Sequence, residues 1–190
     1  HDFAKPQTTH EAIKDGRRRL VSPGHDEAGG PLAEQFLERI NVPLVVRERV
    51  VPLVTNHLAH LQTITDRAVR RLARRLAPEN IEGLVIVITA DQFGRPPRPR
   101  EISDGVRDLE TRARSLQVQA AAPRAIVMGR HLIALGHTPG PAFGEILDTA
   151  FEAQLEGHFF DLHAAFVWLA EQPGLPISEE QRQRMRQQRF

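Results

Sequence analysis

Apolar residues recur along this chain mostly at three- and four-residue intervals, and polar stretches rich in glycine and proline separate the runs. That pattern predicts a string of helices. From Pro31 the residues Leu32, Phe36, Leu37 and Ile40 fall on one helical face. A second helix is predicted from Pro43 through Val45, Val46, Val50, Val51, Leu53, Val54 and Leu58 to Leu61. Pro52 inside it predicts a kink or a break into two helices near Glu48–Arg49. Thr65 or Asp66 caps a short helix over 67–76, with Val69, Leu72, Ala73 and Leu76 on one side. Glu79-Asn80 opens a strongly apolar helix through Leu84, Val85, Ile86, Val87 and Ile88, ending near Phe93. Its β-branched residues also suit a strand, but the surrounding pattern favours a buried helix.

Ser103-Asp104 caps a helix to about Gln119 that carries Val106, Leu109, Ala113 and Leu116 on one side. Ala120 to Pro123 reads as a connector, which divides the chain into a body over 1–122 and a smaller helical tail over 123–190. In the tail, two helices meet around a turn from Gly136 to Pro141, and the exposed amides opening the second offer an anion site. That helix runs to Gly157, another covers Leu162 to Leu169, and a polar segment from Ser178 to Arg189 continues as a helix. The early stretch from Thr8 to Gly24, with its Asp15-Gly16 turn and Arg17-Arg18-Arg19, reads as a surface excursion. The triple arginine there is read as a solvated loop ahead of a phosphate-contacting one. Arg95-Pro96-Pro97-Arg98-Pro99-Arg100 reads as a stiff basic loop. The fold class is therefore all-α.

Composition narrows the chemistry. At 190 residues, 41% hydrophobic and 26% charged, the chain is long enough to bury a real core. The formal net charge of +1 conceals a basic side that is nearly all arginine, the residue whose planar fork suits phosphate and carboxylate. Arg67, Arg70, Arg71, Arg74 and Arg75 follow helical spacing and form one basic stripe opposite Val69 and Leu72. A solvated face and contact with a phosphate backbone are equal readings of it. There is no cysteine, which removes disulfides and thiol nucleophiles and makes a cytoplasmic location the default. No apolar run suits a membrane span, and the first residues hold neither a basic nor an apolar leader region. The sequence begins without methionine and carries its most reactive residues at positions 1 and 2, so it is expected to be a piece of a longer protein.

Those residues are His1 and Asp2, an imidazole and a carboxylate side by side, followed by Lys5. The pair offers two metal ligands, and the lysine can meet an anionic group. His25 is placed just before the helix that begins at Pro31, where its ring can turn back toward the pair; the alternative is a solvated His25 with Asp26 capping the helix. His57 shares a helical face with Leu53 and Leu61, where a hydrogen-bonded core histidine is the commoner outcome. Asp91 stands at the inner end of an apolar run, so it must be paired, hydrogen-bonded or metal-bound.

His1-Asp2-Phe3-Ala4-Lys5-Pro6, Thr8-Thr9, Asp15-Gly16 and Gly24-His25-Asp26 resemble the HD-domain signature of the bacterial tRNA nucleotidyltransferase and poly(A) polymerase family, the CCA-adding enzymes. The stretch from Gly129 to Leu147, Gly-Arg-His-Leu-Ile-Ala-Leu-Gly and then Pro-Gly-Pro-Ala-Phe-Gly-Glu-Ile-Leu, is similar to the RNA-side helical segment of the same family. The resemblance implies an HD-domain helical bundle followed by a small RNA-side module. It covers only the rear part of such proteins, so nucleotide addition is not expected without an N-terminal nucleotidyltransferase head. Ala4 stands where the family usually has glycine, which is expected to tighten the turn, and the superfamily's first histidine, normally well upstream of the pair, is missing.

The resemblance further implies that His1, Asp2, His25, His57 and Asp91 ligate one or two divalent ions of Mg, Mn, Ni or Fe. Asp2 and Lys5 would then carry phosphoester hydrolysis on nucleotide or RNA-end phosphates, Lys5 holding a phosphoryl oxygen. The alternative is an inert body that grips tRNA through Arg67, Arg70, Arg71, Arg74, Arg75 and Arg130 for the missing head. A third reading is a structural fragment without activity, which follows if the missing histidine is indispensable.

Overall fold

The structure is a computed structural model that describes residues 1–97 and 99–187. Arg98 of the expected basic loop, and Gln188 and Arg189 of the expected last helix, lie outside the described residues. The chain divides into two compact units, His1–Ala122 and a second from Pro123 onward. Among the described residues it is mostly helical, with one two-stranded sheet.

The first unit opens with a single turn, α1 (Lys5–Thr8), and then a β-hairpin of β1 (His10–Lys14) and β2 (Arg17–Val21). The strands are antiparallel, with His10 opposite Val21 and Lys14 opposite Arg17. Asp15 and Gly16 both have positive φ, 54° and 72°, as a two-residue hairpin turn of the primed type requires. The expected surface excursion is thus an ordered hairpin. Its strands escape a reading by apolar alternation because nearly every position is exposed, including Ile13 and Leu20.

α2 spans His25–Arg39 and α3 spans Leu44–Asn56, and the two pack against each other. Both correct the sequence reading. α2 begins six residues before Pro31 and runs through it, and α3 runs unbroken through Pro52 but stops before His57. Each proline deprives the carbonyl four residues earlier of its partner; these are Glu27 and Glu48, both exposed residues. Gly30 makes the helix contact possible, since a Cβ there would lie 2.5 Å from Thr55 Oγ1. Arg47 adds a tie by donating to Glu34 at 2.7 Å. The apolar residues Ile40, Val45, Val46 and Leu61, expected on helical inner faces, are exposed.

After a 3-10 turn at Ala59–Leu61, α4 (Asp66–Leu76) starts at Thr65, whose hydroxyl accepts from Ala68 N at 3.1 Å. It buries Val69, Leu72, Ala73 and Leu76, the face read from sequence. α5 (Ile81–Phe93) is capped by Asn80, which accepts from Gly83 N at 2.9 Å. It buries Ile81, Leu84 and Ile88 but exposes Ile86, so it lies at the surface with one inner face rather than being buried all round. α6 (Asp104–Ser115) closes the core with Val106, Leu109 and Ala113 and ends earlier than Gln119. Ser103 sits at its N-cap position, yet its hydroxyl accepts from Gln92 Nε2 at 2.9 Å, tying the start of α6 to the end of α5.

The second unit holds α7 (Gly129–Ala134), α8 (Pro141–Glu156), α9 (Leu162–Glu171) and α10 (Glu179–Gln187). Its core is built on Leu132, Ile146, Phe159, Phe166 and Leu169. Asp161 caps α9 by accepting from Ala164 N at 2.8 Å, and Arg182 of α10 donates to the Ala170 carbonyl at its other end at 2.7 Å. No helix among the described residues is long and apolar enough to cross a membrane.

Candidate metal centre

His1 and Asp2 precede α1, and Ala4 behind them is fully buried with φ −88° and ψ −6°. Any residue adopts that backbone, so the alanine in place of glycine imposes no strain; its methyl packs inside. Gly24, with φ 70°, turns the chain so that His25 becomes the first residue of α2 rather than a loop residue before it. At Gly29 a Cβ would lie 3.3 Å from the His1 carbonyl oxygen, so the bare backbone lets α2 press against the opening dipeptide. His57 follows the last residue of α3 and is 1% exposed. Asp91 comes from the last turn of α5.

These five residues from four parts of the chain meet. His1 Nε2 lies 3.3 Å from Asp2 Oδ1 and 3.1 Å from Asp91 Oδ1. His25 Nε2 lies 3.5 Å from Asp2 Oδ1 and 3.3 Å from His57 Nε2. His1, Asp2 and His57 place one ligand atom each within 4.8 Å of one another, and His25 and Asp91 border them.

The outer nitrogens fix the inner ones. His25 Nδ1 is 2.6 Å from the Ser22 carbonyl and His57 Nδ1 is 2.7 Å from the Val54 carbonyl. A carbonyl only accepts, so each Nδ1 carries a proton and each ring turns its Nε2 inward. Burial, the largest cause, and the neighbouring His25 lower the pKa of His57, which keeps it neutral despite the hydrogen bond to Val54. The two Nε2 atoms, 3.3 Å apart, are close enough to share a cation, either a proton or a metal ion. Asp2 Oδ1 is buried and has no hydrogen-bond donor, while Lys5 Nζ holds the other oxygen, Oδ2, at 2.6 Å. An orphaned carboxylate oxygen ringed by imidazole nitrogens fits a divalent ion.

Lys5 is thus engaged with Asp2, not free in the solvent. Asp91 is paired, as a carboxylate in its position must be, and its side chain is only 11% exposed. Arg95, one helical turn further on, closes on both of its oxygens, with Nε 3.1 Å from Oδ1 and Nη2 against Oδ2. The sequence reading places Arg95 in a basic loop without a partner, although an acid and a base at i and i+4 are a recognisable helical pair. It also gives no role to His60, three residues after His57. That side chain is buried, has an unpartnered Nδ1, and lines a cavity of about 590 Å³ together with Asp91 and Arg95.

The basic stripe is on α4. Arg67, Arg74 and Arg75 are exposed and Arg70 and Arg71 half-buried, and Arg75 Nε donates to Asn56 Oδ1 at 3.3 Å. Arg130, in the second unit, is exposed and donates through Nε to His131 Nε2 at 3.2 Å.

No family model matches the chain, and no solved structure is significantly similar to it. Curated relatives are. The chain is 34% identical over 182 residues to the A-adding tRNA nucleotidyltransferase of Deinococcus radiodurans, covering 92% of this chain and 41% of that protein. It is 31% identical over 158 residues to the CC-adding tRNA nucleotidyltransferase of Thermus thermophilus, covering 83% of this chain and 35% of that one. It therefore spans about two fifths of the length of the relatives it matches. A helical chain with this level of identity over most of its length belongs to the tRNA nucleotidyltransferase family and corresponds to its C-terminal part.

Proposed function

We propose that the first unit is an HD-type, metal-dependent phosphohydrolase acting on nucleotide or RNA-end phosphates. The observation that carries this reading is the orphaned Asp2 Oδ1, buried among the inward Nε2 atoms of His1 and His25 with His57 behind them. His1, Asp2, His25, His57 and Asp91 are the proposed ligands of a divalent ion, Mg, Mn, Ni or Fe. Such an ion, when bound, supplies Lewis-acid polarisation of a phosphoryl group and makes water more acidic. The chain's own residues supply the rest. The Ser22 and Val54 carbonyls hold His25 and His57 in the ligating tautomer, and Lys5 fixes the Asp2 carboxylate so that Oδ1 faces the centre. Lys5 keeps a positive charge beside the place where phosphoryl charge develops, which is its proposed catalytic role with Asp2.

The test is metal content and turnover of the purified protein. Native mass spectrometry with Mn²⁺, Ni²⁺ or Mg²⁺ is expected to show bound metal, and nucleotide phosphoesters are expected to be hydrolysed. Asp2→Asn and His57→Ala are expected to lose both. A protein that binds none of these ions and turns over none of these esters refutes the reading.

A second reading concerns RNA and is favoured by the activity for which the relatives are named, tRNA nucleotidyl transfer. In it the unit grips tRNA through Arg67, Arg70, Arg71, Arg74 and Arg75, with Arg130 contributing from the second unit. Replacing Arg70, Arg71 and Arg74 by alanine is expected to weaken tRNA binding and flatten its salt dependence. An unchanged slope removes the stripe from RNA binding.

A further inference from the structure

We propose that Arg95 is an exchangeable anion hook: it closes on Asp91 in the free protein, and a phosphate entering the adjoining cavity draws it away. Asp91 is then free for a divalent ion, so phosphate and metal bind with positive coupling. The inference rests on the metal reading of the His1–Asp2 centre and adds a device to it.

Three observations carry it. First, the Arg95 fork engages both oxygens of Asp91, the same atoms an ion would need, so clasp and coordination compete. Second, the Arg95 side chain is 43% exposed while that of Asp91 is 11% exposed, so the arginine is the partner free to move. A guanidinium fork fits phosphate as well as it fits carboxylate, which makes the exchange one of like for like. Third, a cavity of about 590 Å³ lies beside the pair, with room for an anion that carries an organic group. Arg95 and Arg107 line it together with Asp91, Glu101 and Asp104, so a phosphate is recognised by the Arg95 fork and not by a net positive lining, and Leu58 and Ile102 give it apolar wall. His60 also lines it, 8% exposed, with a buried Nδ1 that has no hydrogen-bond partner. The ligand class that meets all three is a phosphoester whose phosphate sits by Arg95 and whose organic part fills the cavity.

The experiment is Mn²⁺ binding by the full chain, followed by calorimetry, with and without inorganic phosphate. Phosphate is expected to tighten Mn²⁺ binding by the wild-type protein on the order of tenfold, the size of an ordinary coupling between sites. Arg95→Ala is expected to bind Mn²⁺ more tightly than wild type without phosphate and to lose most of the phosphate effect. Arg95→Lys, which keeps the charge but not the fork, is expected to fall between them. If phosphate tightens Mn²⁺ equally in Arg95→Ala, phosphate acts through the metal alone and the hook is overturned. An Arg95→Ala protein that binds Mn²⁺ no better than wild type also overturns it. Mn²⁺ binding that is present but indifferent to phosphate sinks the hook and spares the metal centre. A wild-type protein that binds no Mn²⁺ sinks both.

Discussion

The contact between α2 and α3 sets the position of two of the three inward histidines, and Gly30→Ala tests it. The added Cβ would sit 2.5 Å from Thr55 Oγ1 and 3.7 Å from Val51 Cγ1. Thr55 Oγ1 is not free to swing away without loss, because it donates to the Val51 carbonyl at 3.1 Å. Overpacking of this kind costs about 1–3 kcal/mol. Against it stands the helix preference of alanine over glycine, about 1 kcal/mol. The net expectation is a loss of about 1 kcal/mol, with helix propensity and packing opposed. Thr55→Ala removes the obstructing oxygen, so the double variant should recover most of the loss and show a coupling of about 1 kcal/mol between the two positions. The only tryptophan, Trp168, lies in the second unit and cannot report on this helix pair. Amide hydrogen exchange of α2 and α3, read by mass spectrometry, is the suitable assay. Slower exchange in Gly30→Ala than in wild type, or effects that simply add in the double variant, would refute the close approach.

Leu84→Ala empties a fully buried site in the core of the first unit and should cost about 3 kcal/mol, read from hydrogen exchange of α4 to α6. Asn80→Ala removes the cap on Gly83 N and should cost about 1 kcal/mol, with faster exchange confined to the first turn of α5; an unchanged turn would show that the cap is idle. His137 is buried with an unpartnered Nε2, and burial lowers its pKa below the usual 6.5. The unfolded chain therefore binds this proton more readily than the folded one, so stability falls as pH drops from about 6.5 toward the lowered folded value. Trp168 fluorescence during thermal melts should show the second unit weakening over that window in wild type and less so in His137→Leu. Equal pH dependence in both proteins would assign the effect to other groups.

What could be read from the residues alone was local. The α4 stripe, its Thr65 cap, the Asn80 cap and the apolar inner faces of α4 and α6 follow from side-chain periodicity and capping chemistry, which act within a few residues. The order of His1, Asp2, His25, His57 and Asp91 was also legible, because a family signature is itself a sequence pattern. The hairpin was half legible: Asp15-Gly16 announced the turn, but its strands bury no face and so carry no alternation.

The remainder was decided by packing at a distance. Helices α2 and α3 continue through Pro31 and Pro52 because their contact outweighs the lost hydrogen bonds, a balance that propensity does not contain. Gly29 and Gly30 look like helix breakers in the sequence; in the fold they are the absent side chains that let α2 reach His1 and α3. The tautomers of His25 and His57, the orphaned oxygen of Asp2 and the clasp of Arg95 on Asp91 exist only once segments up to ninety residues apart touch. The sequence by itself determined which imidazoles and carboxylates are present and in what order along the chain. Only the tertiary structure decided which nitrogen faces inward and which oxygen is left without a partner, because those depend on neighbours that no local pattern names.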